Sequence, residues 1–370
     1  MSENAPDLTE WLDLNGPSGS LDAVDTPCPV IDIDVAAANL LRWQLHCDRF
    51  GIASRPHIKT HKLAGLARAQ IDLGAIGVTV QKLGEAQVMA AAGIRDILLT
   101  FNIIGRAKLE RLGALAPETD IKVVADNAEM LPGLAFAASL AGRDIGVLVE
   151  CDTGAGRNGV QTPLAAADLA TSIDRMPGLV YAGLATYPKP GMRVAVAEWL
   201  AEARALAAKA GLETGIVSSG GTPDMWSTQG LDALSEYRVG TYVYFDRSQV
   251  ARGACQWSDC ALGVHATVVS RPTPARAMLD CGSKALTSDL LGMTGYGVAT
   301  DLGNAVVTDL SEEHGFLNVS GADPAPRVGD RVRIVPNHVC PVVNLFDEVA
   351  FTRAGALLGM ARVDARGMVR

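Results

Sequence analysis

From about residue 28 to residue 245 the sequence alternates between short β-branched runs and Ala/Leu-rich stretches of helical length, and this rhythm limits the fold more than any other feature. Candidate strands end near Lys59, Gln81 (Ile76-Gly77-Val78-Thr79-Val80), Thr100 (Asp96-Ile97-Leu98-Leu99) and Ala125 (Ile121-Lys122-Val123-Val124). Four more end near Cys151 (Ile145 to Glu150), Thr186 (Tyr181-Ala182-Gly183-Leu184), Ser219 (Ile216-Val217-Ser218) and Thr241 (Tyr237-Arg238-Val239-Gly240). Eight successive strand–helix units over ~200–250 residues predict an α/β chain built as a (β/α)8 barrel. A doubly wound open sheet is the rival, but no G-x-G-x-x-G follows the first strand. After about residue 250 the helical texture stops, and short Val/Ile-rich segments such as His265–Val269, Arg331–Val335 and Glu348–Phe351 are separated by turn residues. That pattern predicts a second, C-terminal, mostly antiparallel β domain. The expected division is a barrel over 28–250, with residues 1–27 and 251–370 forming the β domain.

The chain has 370 residues, 48% of them hydrophobic and 20% charged, as expected for a globular protein with a large core. Its net charge of -9 argues against nucleic acid and anionic membrane as partners. Apolar runs break well short of the ~18 residues that a membrane span needs. The acidic N-terminal segment Met1–Asp7 lacks the basic and apolar regions of a secretory signal. The seven cysteines have irregular spacings and no C-x-x-C pair, which reads as reduced thiols in a cytoplasmic protein.

In such a barrel the chemistry sits at the C-terminal ends of the strands. The first strand runs into Arg55-Pro56-His57-Ile58-Lys59-Thr60-His61-Lys62, a basic cluster in an acidic chain. If the strand continues to Lys59, then Arg55, His57 and Lys59 share one face. Neighbouring positive charge disfavours the ammonium form of a lysine and so prepares it to attack a carbonyl. The competing reading is a solvated basic loop. The turn after strand seven, Ser219-Gly220-Gly221-Thr222, can cradle a phosphate with two glycines and two hydroxyls, and Gly240, Thr241 and Tyr242 follow strand eight beside it. Strand eight adjoins strand one when a barrel closes. A lysine next to a phosphate cradle suits pyridoxal 5'-phosphate, which carries an aldehyde and a phosphate. A third feature is Pro336-Asn337-His338-Val339-Cys340-Pro341. If this segment is a strand, His338 and Cys340 share a face and offer an imidazole and a thiolate to a divalent metal, with Asp347 as a further ligand or acceptor. A core histidine and cysteine are the plain alternative.

Taken together, Arg-Pro-His-Ile-Lys59-Thr-His-Lys, Gly-Ala-Gly-Arg157-Asn-Gly-Val, Ser-Gly-Gly-Thr222 and Pro-Asn-His338-Val-Cys340 resemble the D-threonine aldolase and D-serine dehydratase family of alanine-racemase-like (fold type III) pyridoxal phosphate enzymes. The resemblance runs from Asp25-Thr26-Pro27 to the C-terminus. It implies that Lys59 forms the internal aldimine and moves protons at the substrate α-carbon, and that Arg157 faces the pyridine nitrogen. His57 and Gln81 would line the cofactor, with Ser219, Gly220, Gly221, Thr222, Gly240, Thr241 and Tyr242 around its phosphate. His338 and Cys340 would hold a divalent metal (Zn, Mn or Mg) near the substrate hydroxyl, facing a barrel supplied by the partner of a head-to-tail homodimer.

The implied activity is lyase chemistry on small β-hydroxy-D-amino acids. Retro-aldol cleavage to glycine and an aldehyde is the first reading; dehydration of D-serine or 3-hydroxy-D-aspartate to a 2-oxo acid and ammonia is the alternative. A racemase and a non-catalytic cofactor carrier are the remaining options. Gln81-Lys82, Asn102, Lys284 and Asn344-Leu345-Phe346-Asp347 resemble the aldolases, whereas His338-x-Cys340 resembles the dehydratases. Tyr187-Pro188 stands where the family often has a histidine after strand six, so Tyr187 or Lys189 is left to act as base, along with a metal-bound hydroxide.

Overall fold

The computed structural model describes residues 5–229, 231 and 233–370, and leaves Met1–Asn4 of the acidic N-terminal segment outside the described part. The chain divides into two compact units: residues 44–59, 70–240 and 368–370 form one, and residues 5–43, 60–69 and 241–367 belong to the other.

The first strand of the chain, β1 (Cys28–Asp32), belongs to the second unit. The eight strands of the other unit are β2 (Ala53–Ser54), β3 (Val78–Val80), β4 (Asp96–Leu99), β5 (Asp120–Ala125), β6 (Ile145–Cys151), β7 (Leu179–Thr186), β8 (Ile216–Gly220) and β9 (Glu236–Arg238). All are parallel, in the order β2-β9-β8-β7-β6-β5-β4-β3. The two ends of this row meet through a parallel bridge between His57 and Thr79, with bonds from Ile58 N to Thr79 O (3.0 Å) and from Thr79 N to Pro56 O (2.8 Å). Every predicted strand has its counterpart. Leu98, Val124, Leu148 and Ala185, one from each of four successive strands, form a buried layer, as parallel strands covered on both sides require.

The regular part of β2 is only two residues long, and Lys59 lies in the turn that follows it rather than in a strand. The shared face expected for Arg55, His57 and Lys59 is therefore absent. Arg55 is 2% exposed and turns into the barrel, where its Nε donates to Glu236 (2.7 Å) and its Nη1 to Asp96 (2.7 Å). The network continues from Ser218 Oγ to Glu236 (2.5 Å), and the Arg238 guanidinium donates to Ser218 Oγ and, at 2.8 Å, to Thr186 O. A charge this deep is tolerated only when paired, so the basic neighbour expected to act on Lys59 is neutralised inside the barrel. A side chain at Gly77 would meet Arg55 Nη1 at 2.6 Å, which is why a glycine precedes β3.

The second unit is built on a nine-stranded sheet. To β1 are added β10 (Leu262–Thr273), β11 (Arg276–Leu279), β12 (Gly297–Ala299), β13 (Ala305–Leu310), β14 (Gly315–Asn318), β15 (Arg331–Pro336), β16 (Glu348–Arg353) and β17 (Ala356–Arg362). Its order is β11-β14-β13-β12-β15-β10-β1-β16-β17, and β10 also pairs with β11, which closes six antiparallel strands into a small barrel. The parallel pair β1–β16 extends it, with Val24, Cys28, Val30, Ala350 and Leu357 packed beneath. Among the described residues no helix is long and apolar enough to cross a membrane. None of the seven cysteines forms a disulfide, and six of them are buried.

Candidate active site

Within the barrel unit, strand ends bring most of the predicted residues to one rim. His57 N donates to Val239 O (2.7 Å), which ties the segment after β2 to the end of β9. The His57 ring meets Gln81 Oε1 through Nε2 (3.1 Å), and Gln81 Nε2 donates to Thr100 O (2.8 Å), so Gln81 is fixed from both ends of its amide. Lys59 follows two residues later, with its backbone N–H directed at His57 Nδ1 (3.4 Å). Its side chain is half-buried in the turn.

The loop that carries Arg157 leaves β6 and returns through a bridge between Cys151 and Val160. Asp152 accepts the N–H groups of Gly154 (3.0 Å) and Gly156 (3.1 Å). Asp126, at the end of β5, accepts Gly159 N (3.2 Å) and Asn102 Nδ2 (2.8 Å) and so links three successive strand ends. Arg157 is exposed, and its guanidinium carbon lies 5.0 Å from the Tyr187 ring centroid. The Tyr187 ring covers Gly221, where an added Cβ would lie 3.7 Å from it. Gly221 adopts φ +123°, a conformation that glycine alone takes without strain. Gly220 is glycine for a different reason: a side chain there would sit 2.2 Å from Arg238 O. Ser219 is buried, and the Thr222 hydroxyl accepts Gly240 N (3.4 Å).

A three-residue 3-10 turn, Thr222–Asp224, follows directly, and the Gly221 N–H is spent on Arg238 O (2.8 Å), so the Ser219 and Thr222 hydroxyls are what this turn has left to offer a ligand. Thr241 and Tyr242 belong to the second unit. The Tyr242 ring is buried edge-on against Trp43 (6.2 Å between centroids), which leaves its backbone rather than its ring for a ligand.

Beneath the rim lies Glu150, at the end of β6. It is 3% exposed, and its Oε2 has no hydrogen-bond partner. Burial pushes its carboxyl up to about 7, against the opposing pull of Arg238 and Arg157. Nothing in the strand pattern marks it out.

In the second unit, the predicted strand geometry of His338-x-Cys340 is replaced by a helix start. β15 ends at Pro336, His338 caps the helix Val339–Leu345, and Cys340 lies in its first turn. Asp246 Oδ2 accepts Val339 N (3.2 Å) and holds this start in place. The two side chains still come together. Burial alone would lower His338, but the Cys340 thiolate and the Asp289 carboxylate beside it raise it to about 9. The Cys340 sulfur lies 3.1 Å from Thr60 Oγ1 and 3.9 Å from Thr241 Oγ1.

Asp347 does not join the pair: its side chain is 80% exposed and bonds Arg366 (3.0 Å). Asp289, which sequence reasoning missed, meets His338 Nδ1 at 2.7 Å instead. Among the described residues no group of three or more His, Cys, Asp or Glu could hold a metal, so the pair would leave coordination positions open. His61 and Lys62, the last residues of the basic cluster, are buried rather than solvated and precede the helix that begins at Ala64; Lys62 Nζ donates to Ala365 O (3.3 Å). His314 is an exposed turn residue whose carbonyl accepts Ser311 N (2.9 Å).

These donors fit the groups that the motifs suggest. An amine, an exposed guanidinium, buried hydroxyls and a glycine turn suit an aldehyde bearing a phosphate. An imidazole with a thiol suits a borderline divalent cation.

The alanine racemase N-terminal domain model matches residues 31–248 and the serine dehydratase domain model residues 261–352. The chain is 36% identical to the D-threonine aldolase of Arthrobacter sp over 370 residues, covering 96% of each protein. It is 34% identical to the D-threo-3-hydroxyaspartate dehydratase of Delftia sp. (strain HT23) over 347 residues, or 86% of this chain and 91% of that one. The crystal structure of D-threonine aldolase from Filomicrobium marinum superposes with a TM-score of 0.88 at 31% identity, covering 96% of this chain and 100% of the other.

Proposed function

From the membership of this chain in the alanine-racemase-like family of lyases that includes D-threonine aldolase and D-threo-3-hydroxyaspartate dehydratase, we propose that it cleaves β-hydroxy-D-amino acids to glycine and an aldehyde. In this reading it acts in the cytoplasm, as a head-to-tail homodimer, on a small free amino acid. The observation that carries it is the barrel rim, on which Lys59, the His57–Gln81 pair, Arg157, Tyr187 and the Ser219–Thr222 turn stand together at strand ends.

Pyridoxal phosphate supplies an electron sink for a bond at the substrate α-carbon, and a divalent cation supplies Lewis acidity at the β-oxygen. Lys59 binds the cofactor and moves a proton at the α-carbon. The Ser219 and Thr222 hydroxyls and the Gly220-Gly221 turn hold the phosphate. His57, oriented by Gln81, and Arg157 would hold the cofactor ring. Tyr187 takes the proton of the substrate β-hydroxyl, because Pro188 stands where a histidine would otherwise serve. His338 and Cys340 hold the cation, with the Thr60 and Thr241 hydroxyls beside Cys340.

One observation favours a second reading. Cys340, rather than an aspartate, is the second member of the metal pair, as in the dehydratases. Product analysis separates the two. From D-threonine, cleavage gives glycine and acetaldehyde, whereas dehydration gives 2-oxobutyrate and ammonia. From 3-hydroxy-D-aspartate, the corresponding products are glycine and glyoxylate, or oxaloacetate and ammonia. Ammonia released in step with substrate loss, without glycine, overturns the aldolase assignment.

A further inference from the structure

We propose that Asp289 is the positioning residue of the His338/Cys340 site: it holds the His338 ring so that Nε2 faces a divalent cation. The proposal rests on the metal reading above and adds a residue to it. Two adjacent side chains grip Asp289 at once. His338 Nδ1 lies 2.7 Å from its carboxylate, and Asn337 Nδ2 donates to its backbone carbonyl at 3.0 Å. Asn337 is itself fully buried, donates also to Gly295 O (2.8 Å), and accepts from Arg247 Nη1 (3.1 Å). The Asp289 backbone is therefore tied to the segment that carries His338, which keeps its carboxylate within reach of the ring.

The chemistry follows from the ring. A carboxylate oxygen only accepts, so Nδ1 carries a proton in both charge states of the ring, and Nε2 offers its lone pair to a cation once its own proton has left. A histidine held this way is a better ligand, because its tautomer and orientation are fixed before the cation arrives and the carboxylate raises its basicity. The arrangement matters more here than in a full cage. Cys340 is the other donor, and no larger His/Cys/Asp/Glu cluster exists among the described residues. With two protein ligands, a loosely held imidazole costs a large share of the affinity. Asp289 is a positioning group rather than a ligand, since its contact is with the nitrogen on the far side of the ring from Nε2.

The test measures zinc binding to the full-length protein by competition with a chromophoric chelator, with no substrate present. His338→Ala, Asp289→Ala and Asp289→Asn are compared with the natural protein, and thermal melting of the metal-free forms checks folding. The expected result is roughly 10–100-fold weaker zinc binding for Asp289→Ala. Asp289→Asn should stay within a few-fold of the natural protein, because its amide oxygen still accepts from Nδ1. Asp289→Asn also carries the test if the alanine variant melts early. Should His338→Ala bind zinc as well as the natural protein does, the metal reading itself fails. If His338→Ala loses zinc and Asp289→Ala does not, the metal reading stands and the positioning role of Asp289 is overturned. An asparagine variant as weak as the alanine variant overturns the hydrogen-bond account.

Discussion

Replacing Glu150 with glutamine should stabilise this protein at pH 8 and do much less at pH 5. The residue is 3% exposed, one of its oxygens has no hydrogen-bond partner, and its carboxyl is pushed from 4.5 up to about 7. The sign follows from proton binding. Between these two values the unfolded chain has released the proton while the folded chain keeps it, so folding becomes less favourable as the pH rises. Each pH unit separating the two values corresponds to about 1.4 kcal/mol, so the ionised carboxylate costs the fold about 3 kcal/mol once the pH exceeds 7. Below 4.5 both states are protonated and the cost is absent. Glutamine keeps the shape and does not titrate. The structural cost of its amide is the same at both pH values and cancels in the comparison. Urea unfolding followed by far-UV circular dichroism, on both proteins at pH 5 and pH 8, should show the substitution to be about 2–3 kcal/mol more favourable at the higher pH. An equal effect at the two pH values would mean that Glu150 ionises normally in the folded barrel, and the argument from its burial would fail.

Arg55→Met should take from Glu236 its ion-pair partner in the barrel interior and lower stability by about 3–5 kcal/mol, read from the same urea transitions. Lys59→Ala should abolish turnover of β-hydroxy-D-amino acids and the visible absorbance that travels with the protein on gel filtration. A retained band would remove Lys59 from its assigned place. Dialysis against a chelator should eliminate activity, and adding back zinc, manganese or magnesium should show which cation restores it; full activity after chelation would favour the racemase reading. Gly221→Ala should weaken cofactor retention, because φ +123° is strained by about 1–3 kcal/mol for any other residue and the turn must relax away from it.

How much can be read from the chain differs from residue to residue, and the reason is physical. The eight barrel strands are legible because buried parallel strands need continuous β-branched runs, and such runs are visible in sequence. The rim positions follow from the strand ends. Arg55 misleads because periodicity shows which face a residue occupies and nothing about the carboxylates that meet it. Glu236 and Asp96 come from two other strands, far away in sequence. His338 and Cys340 stand out for their chemistry, although the strand expected for them is a helix start. Asp289 and Asp126 carry no local signal: each acts on a segment more than 20 residues away, and isolated aspartates in turns are common. Asp347 looks better placed only because it is near in sequence.

The position of β1 sets the timetable for making this protein. The strand leaves the ribosome early, yet it is flanked in the sheet by β10 on one side and β16 on the other. Thr352 donates to Ile31 O across a sequence separation of 321 positions. The parallel barrel can close once β9 has emerged, whereas both edges of β1 must wait for later segments, the second until nearly all of the chain is made. An unpaired apolar strand that waits this long is an open template for another chain. Expression should therefore be more sensitive to truncation or slow synthesis after β15 than to changes of similar size within the barrel, with aggregation rather than loss of activity as the first symptom.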